Sequence, residues 1–519
     1  MSRTFYITTA IDYTNAPPHI GHAYEKILAD VIARYRRLKG EPVYFLTGVD
    51  QHGQKVQQAA QREGVEPQMF ADGIAAKFRA LWKKLQVEPD CWASTTDSRH
   101  KEVVSRILQS LHDRGELYKA THTGFYSVRQ EQFLTDKERG ADGEFGPEWG
   151  EVVEISEENW YFRLSKYRDW LVEFVATNKH FVIPGFRQAE LANAVGRLGG
   201  DLCISRPKSR LEWGIELPFD SDYVTYVWFD ALINYISFAG YLAPEGADFP
   251  AFETLWPCRA HVIGKDIMVP AHGVYWPIML HALGFKDDEI PPLLVHGWWN
   301  IGGAKMSKSA GNVVDPNVLA DKYGADAVRY YLVRDIATGQ DSDFSESRLQ
   351  SRYNTDLAND LGNLLNRTLN MAKRYRDGVL KQVETEDPAA DALRTLAAET
   401  VAVCTKHFDE YSIHSGLESI WGLVSHCNGY VEASAPWKLA KDQSKADELD
   451  AVLYHLAEAI RIVAVLVSPV MPGAAAKIFE QLNLPDEGTL GCAVWGGLAD
   501  GHQLGAPTPL FPRLEIPAG

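Results

Sequence analysis

The feature that most constrains this chain is a strand-helix-strand pattern that occurs twice, with a long stretch of different texture between the copies. Residues 5–10 read as a buried strand, and turn formers follow at Asp12, Asn15, Pro17 and Pro18. Over residues 20–39, Ile27, Leu28, Val31, Ile32 and Tyr35 recur at helical spacing. Lys26, Asp30, Arg34 and Arg37 fall largely on the other face, and Gly40 closes the helix. Residues 43–49 give a second strand. Parallel strands joined in this way need a right-handed crossover, and open sheets built from them take ligands at the carboxyl ends of the strands. His19, His22 and Asp50 all fall there.

The second copy has strands at 260–263 and 293–296 and a helix at 271–283. A doubly wound α/β sheet, split by an insertion over about 115–225, accommodates both copies. Within the insertion, short alternating segments at 124–128 and 159–164 read as strands, and 137–150 is a loop rich in glycine and acid. From about residue 345 the texture becomes helical, with Leu357, Leu361, Leu364, Leu365 and Leu369 at helical spacing, which predicts a helix bundle. The 519 residues exceed what one hydrophobic core supports, about 250–300, so several domains are expected.

Composition narrows the class further. An apolar fraction of 45% with 23% charged residues is ordinary for a soluble globular protein. The longest apolar candidate, residues 462–467, is closed by Arg461 and Ser468-Pro469, far short of a membrane span, so no membrane partner is expected. The chain runs into its first strand without a secretory signal, which makes the cytoplasm the default location. Six cysteines without a close pair argue against a disulfide framework and against a zinc ribbon. A net charge of -17 disfavours a nucleic-acid partner overall but leaves room for a local basic face. Arg367, Lys373, Arg374, Arg376 and Lys381 cluster in one stretch, as either a solvated helix surface or such a face.

Two short motifs bracket one nucleotide chemistry. His19-Ile20-Gly21-His22 opens the first helix, where backbone N–H groups and the macrodipole favour anions. The imidazoles add donors toward phosphates, and Gly21 lets an adenine or ribose approach the backbone. Lys305-Met306-Ser307-Lys308-Ser309 follows Gly302-Gly303 on a loop, from which Lys305 and Lys308 can swing toward a leaving pyrophosphate. Taken singly, the motifs also read as an ordinary helix entrance and a solvated lysine-rich turn. In this order they resemble the paired signatures of class I aminoacyl-tRNA synthetases, and Gly311-Asn312-Val313-Val314-Asp315-Pro316 continues the pattern. Adenylate formation fits such a site, because an ionised carboxylate needs alignment and charge stabilisation rather than a protein nucleophile.

The longer strings are similar to the methionyl-tRNA synthetase family over essentially the whole chain. They are Ala10-Ile11-Asp12-Tyr13, Asp50-Gln51-His52-Gly53, and the run from Tyr226 through Trp228 and Asp230 to Tyr235. The resemblance implies that Ala10, Ile11, Tyr13, Trp228, Ala231, Leu232, Tyr235 and Ile267 surround methionine, with Asp50 pairing its ammonium group. An apolar, polarizable thioether gains from such aromatic neighbours. It also implies His19, His22, Lys305 and Lys308 as catalytic groups, with Gly21, Gly264, Asp266, His296, Gly297, Met306 and Ser307 toward the nucleotide. By themselves Trp228 and Tyr235 read as core aromatics. A pocket of this kind discriminates weakly against leucine or norleucine, since one methylene is worth about 1–3 kcal/mol. The family commonly places a pocket histidine four residues after the isoleucine, whereas His272 stands five after Ile267.

A second departure lies in the insertion. Many relatives carry a zinc knuckle there, but Ser127, Gln130, Gly146 and Trp149 stand where the ligands would be, and none is a good zinc ligand. The expectation is a metal-free knuckle packed by Phe125, Phe133, Phe145 and Trp149, in an insertion too short for a separate editing domain. Downstream, the stretch from Asn359 to Arg367 resembles the family's anticodon-reading helix, and Ala435-Pro436-Trp437 the segment whose tryptophan stacks on an anticodon base. Asn363 and Arg367, four apart, share a helix face. Hydrogen bonding to splayed bases and aromatic stacking are how RNA loops are read; without the resemblance, Asn363 is a surface residue and Trp437 a packing residue.

The expected organisation is therefore a Rossmann-type catalytic domain in two halves, 1–114 and 226–290, with a connective insertion at 115–225. A linking region at 291–345 carries the lysine loop, and an all-α anticodon-binding domain with a C-terminal extension covers 346–519. The expected activity is a methionine-tRNA ligase using ATP and Mg2+ without zinc. It acts as a monomer on L-methionine and on initiator and elongator tRNA-Met. A non-catalytic tRNA-binding paralogue and a tRNA-free adenylate-forming ligase are the alternatives. The intact His19, His22, Lys305 and Lys308 speak against the first, and Asn363, Arg367 and Trp437 against the second.

Overall fold

The computed structural model describes residues 3–127, 132–134, 138–140, 142–196, 200–243, 246, 248–305, 313–485 and 488–514, with residues 132, 133, 148, 304 and 305 described by backbone alone. The first unit runs β1 (Phe5–Thr9), β2 (Asp12–Tyr13), α1 (Ile20–Leu38), β3 (Val43–Asp50), α2 (Gln54–Glu63), α3 (Pro67–Lys84), β4 (Cys91–Ser94) and α4 (Ser98–Asp113). All five residues of β1 are buried, the pattern of a parallel strand covered on both faces. Helix α1 departs from the expected one-sided amphipathicity: Lys26 and Asp30 are buried as fully as Ile27 and Val31. The polar face meets protein too, and each of its charges finds an ion-pair partner.

The insertion contributes β5 (Leu117–Ser127), β6 (Gln132–Leu134), β7 (Val152–Phe162), α5 (Arg168–Thr177), β8 (Val182–Ile183), α6 (Gly185–Val195), β9 (Leu202–Cys203), β10 (Ser205–Pro207), β11 (Glu216–Leu217) and β12 (Asp220–Thr225). Strands β5 and β7 pair antiparallel along their full length, Leu117 opposite Phe162 and Ser127 opposite Val152. Then follow α7 (Val227–Ser237), α8 (Phe252–Leu255), β13 (Ala260–Gly264), a wide π-type segment (Met268–Tyr275), α9 (Trp276–Leu283) and β14 (Leu293–His296). Over 271–283, where a helix is expected, the backbone is helical, wide as far as Tyr275 and regular from Trp276, and the extended Val269 lies just before it.

Seven strands form one parallel sheet in the order β2-β3-β1-β13-β14-β8, with β4 also pairing with β3. The chain steps from β1 outward to β3 in one direction and from β13 outward to β14 in the other. The switch point therefore lies between β1 and β13, where a doubly wound sheet opens a crevice. Strand β8, deep inside the stretch read as insertion, joins this sheet beside β14.

After β14 the chain is largely helical: α10 (Pro316–Tyr323), α11 (Ala325–Arg334), α12 (Glu346–Arg352), a π-type segment (Tyr353–Gly362), α13 (Asn363–Arg376), α14 (Pro388–Asp409), α15 (Ile413–Ser434), α16 (Pro436–Leu439), α17 (Ala446–Val467) and α18 (Pro472–Gln481). One apolar core runs from α1 and α3 into these helices, and a second fills the opposite face of the sheet with α4, α7 and α9. The two parts of the chain are also tied by polar contacts. The Tyr35 hydroxyl donates to the Thr405 carbonyl at 3.1 Å, and Lys39 pairs with Asp409 at 2.8 Å. Among the described residues no helix is long and apolar enough to cross a membrane.

Candidate active site

The carboxyl ends of β1, β3, β13 and β14 meet the amino end of α1 and one face of α7 around a cavity of about 640 Å³. At one end of it the two histidines cap α1 reciprocally. His19 Nδ1 accepts from the Gly21 N–H and His22 Nδ1 from the His19 N–H, each at 3.1 Å, with the rings 3.8 Å apart. With both Nδ1 atoms accepting, a neutral ring carries its proton on Nε2, so each imidazole is a donor on that side. A Cβ at Gly21 would sit 2.9 Å from the His19 ring, so this glycine first makes room for the cap itself. Gly21, Gly264, Asp266, His296 and Gly297 line the same region, and Trp298 donates its indole N–H to Asp266 at 3.2 Å.

The other half of the cavity is apolar. Trp228, Ala231, Leu232 and Tyr235 recur at helical spacing on α7 and face Ala10, Ile11 and Tyr13 from the β1–β2 segment. Ile267 and His272 close the wall. The one-residue surplus before His272 is absorbed by the wide turn, in which the His272 N–H bonds the Ile267 carbonyl, five residues back, at 3.2 Å. His272 Nδ1 donates to that same carbonyl at 2.9 Å, which leaves Nε2 to accept from the Tyr235 hydroxyl at 2.8 Å. Burial pushes His272 down to about 4, in keeping with a neutral ring. Asp50 ends β3 at the cavity edge, 7% exposed, with the Thr95 hydroxyl 3.4 Å from its carboxylate.

Sequence reasoning missed the charged floor between the two halves. Lys26 Nζ, 1% exposed, donates to Asp12 Oδ1 at 2.6 Å, Glu25 Oε1 at 2.8 Å and the Ala10 carbonyl at 3.0 Å. His296 Nε2 lies 3.1 Å from Glu25 Oε2. Two carboxyls thus share one ammonium. Burial pushes Asp12 up to about 7, while Lys26 and His296 hold Glu25 below the usual range against the same burial. The signal available was adjacency alone, since Asp12 and Glu25 lie beside residues already singled out. Asn234 and Lys55 also line the cavity and were not anticipated.

The remaining expectations fall elsewhere. Lys305 is described by backbone only, and Met306, Ser307 and Lys308 lie outside the described residues, as does Gln130 of the knuckle. In that knuckle the Ser127 hydroxyl donates to the Trp149 carbonyl at 2.5 Å, and the Arg139 guanidinium lies over the rings of Phe125 and Phe145. The side chain of Phe133 is not among those described. Among the described residues, no cluster of three or more His, Cys, Asp or Glu is arranged to hold a metal ion. Far from the cavity, Asn363 is exposed on the first turn of α13. Arg367 pairs with Glu432 at 2.7 Å and lies over the half-buried Trp437 ring at 5.7 Å. Arg376 and Lys381 both pair with Asp450, and Lys373, Arg374 and Lys381 are the exposed members of the basic cluster.

A parallel sheet with its cavity at the switch point, a histidine-capped helix and a separate helical region define a class of ATP-using ligases, and the comparisons place the chain within it. The chain belongs to the family described as tRNA synthetases class I (M), whose model matches residues 5–143 and 149–369. A second model, the anticodon binding domain of methionyl tRNA ligase, matches residues 382–516. Methionine--tRNA ligase of Caldanaerobacter subterraneus subsp. tengcongensis is 41% identical over 99% of this chain and 80% of its own length. That of Bacillus subtilis is 42% identical over 99% and 78%. Among solved structures, Mycobacterium tuberculosis methionyl-tRNA synthetase in complex with methionyl-adenylate superposes with a TM-score of 0.92 at 39% identity, covering 99% of this chain and 100% of that one.

Proposed function

We propose that this chain is a methionine-tRNA ligase, which joins L-methionine to ATP as methionyl-adenylate, releases pyrophosphate, and passes methionine to tRNA-Met. The observation that carries the reading is the two-part cavity, an aromatic wall with the Asp50 carboxylate at its edge beside the capped amino end of α1. Methionine lies with its thioether against Ile11, Trp228, Leu232 and Tyr235 and its ammonium group toward Asp50. Neutral His272 keeps the Tyr235 hydroxyl turned inward, away from the thioether. The substrate carboxylate meets the α-phosphate at the end of α1, where the His19 and His22 donors and the helix amides oppose the developing charge. Gly264, Asp266, His296 and Gly297 surround the adenosine. Their place in the motif assigns Lys305 and Lys308 to the pyrophosphate. Magnesium arrives with ATP and is carried mostly by phosphate oxygens and water.

In this reading residues 1–114 and 226–290 form the catalytic domain around a connective insertion at 115–225. The 291–345 region links it to the anticodon-binding part at 346–519, where Asn363, Arg367 and Trp437 meet the anticodon of initiator and elongator tRNA alike. The enzyme works in the cytoplasm as a monomer with no zinc. The test is ATP-pyrophosphate exchange with each standard amino acid, on chelator-treated protein resupplied with magnesium alone. Exchange with methionine only is expected. Equal exchange with another amino acid, or none with any, overturns the assignment.

A further inference from the structure

Behind the apolar wall lies a buried carboxylate that the reaction itself does not use. Asp230 stands on α7 between Trp228 and Ala231, yet it points away from the cavity and is 0% exposed. His52 Nδ1 lies 2.6 Å from its Oδ2 and His100 Nε2 lies 2.8 Å from its Oδ1, while His100 Nδ1 meets the Ser237 hydroxyl at 2.7 Å. The pattern is self-consistent with two donating imidazoles on one carboxylate, Ser237 donating in turn to His100. Burial opposes the charge, but His52 and His100 hold Asp230 down to about 2. His52 Nε2 has no hydrogen-bond partner among the described residues, so the hydrogen bond to Asp230, with the edge-on Trp213 ring 5.4 Å away, orients this ring.

His52 comes two residues after Asp50. The connection between them is anchored from several sides: the Gln51 N–H bonds Thr95 Oγ1 at 2.9 Å, and the Trp213 indole bonds the Gln51 carbonyl at 2.5 Å. One carboxylate thus grips both the segment that carries Asp50 and the helix that carries Trp228, Ala231, Leu232 and Tyr235. Resting on the methionine reading above, we infer that Asp230 and His52 are positioning residues for the amino acid. They set the distance between the group that holds the ammonium and the wall that holds the thioether. That distance measures side-chain length, which a purely apolar wall does poorly. The nucleotide side is built from α1, β13 and β14 and does not depend on this pair.

The test uses the full chain in ATP-pyrophosphate exchange and two variants of equal polarity, His52→Asn and His52→Gln. The asparagine amide nitrogen falls near the position of Nδ1 and keeps the donor to Asp230; the glutamine amide carries it past. His52→Gln is expected to raise KM for methionine about tenfold, with KM for ATP and kcat within about twofold, whereas His52→Asn stays near the unaltered chain in all three. Equal methionine KM values in the two variants overturn the inference, as does a parallel rise of both KM values. Loss of folded protein in both variants also overturns it, since the pair then serves stability alone. Absence of methionine-dependent exchange in the unaltered chain overturns the function itself, a separate result seen before any variant is measured.

Discussion

His272 is neutral because the fold takes it out of water, and its two hydrogen bonds admit one tautomer. Its folded value of about 4 lies below the ordinary 6.5, so the unfolded chain takes up the proton first as pH falls. Stability from this residue is therefore complete above pH 6.5 and lost on acidification toward pH 4. The gap in unfolding free energy between the unaltered chain and His272→Gln is expected to narrow by about 3 kcal/mol across that window, measured by urea titration at each pH. The residue itself was legible as a pocket histidine; its protonation was not, because burial and the carbonyl it meets are properties of the folded backbone. Lys26 is the sharper case. A lysine on the polar stripe of an amphipathic helix reads as solvated, and only the approach of the β1–β2 segment turns it into a buried ammonium with three acceptors.

Among the elements, the turn from β3 into α2 shows how a backbone conformation shapes the site. Gly53 has φ of +106°, in the region that favours glycine, and a Cβ there would stand 2.4 Å from the Tyr13 hydroxyl oxygen. Gly53→Ala is expected to push Tyr13 out of the cavity wall, raise KM for methionine about tenfold and cost about 1–3 kcal/mol of stability, measured by exchange kinetics and thermal melting. The parallel strands were readable from sequence because burial on both faces makes β1, and β14 as far as Val295, continuous apolar or β-branched runs. The wide turn at Met268–Tyr275 was not, since widening a helix by one residue leaves the apolar pattern nearly intact. Nor was β8, whose two residues acquire strand character only by pairing with β14.

At the scale of the molecule, Arg329 joins the two parts of the chain. It is 0% exposed, and its guanidinium donates to Asp30 on α1, to Leu85 and Gln86 after α3, and to Pro469 and Val470 between α17 and α18. Among the described residues, Arg329→Leu leaves Asp30 with only Arg34 as a cationic partner and strands several carbonyls. A loss of about 3–5 kcal/mol is expected, read from denaturant unfolding. Trp437 tests the far end. The Arg367 guanidinium lies over its half-buried ring, and the proposed anticodon role has Trp437 stacking on a base. Trp437→Ala is expected to leave ATP-pyrophosphate exchange unchanged and to lower kcat/KM for tRNA charging about tenfold or more, measured by aminoacylation at limiting tRNA.

Sequence alone determined the doubly wound class, the helical C-terminal part and the nearness of His19, His22 and Asp50, because strand burial, helical periodicity and crossover handedness are local or topological properties. Most residues of the cavity wall were recognisable through motif resemblance rather than through periodicity, which reads Trp228 and Tyr235 as core. Tertiary structure alone decided which charges are buried and with whom. Asp230 with His52 and His100, Asp12 with Lys26, and Asp30 with Arg329 are partners from different segments. A charge becomes part of a core only when the segments that exclude water from it also bring its counter-charge, and that coincidence exists only in the folded chain.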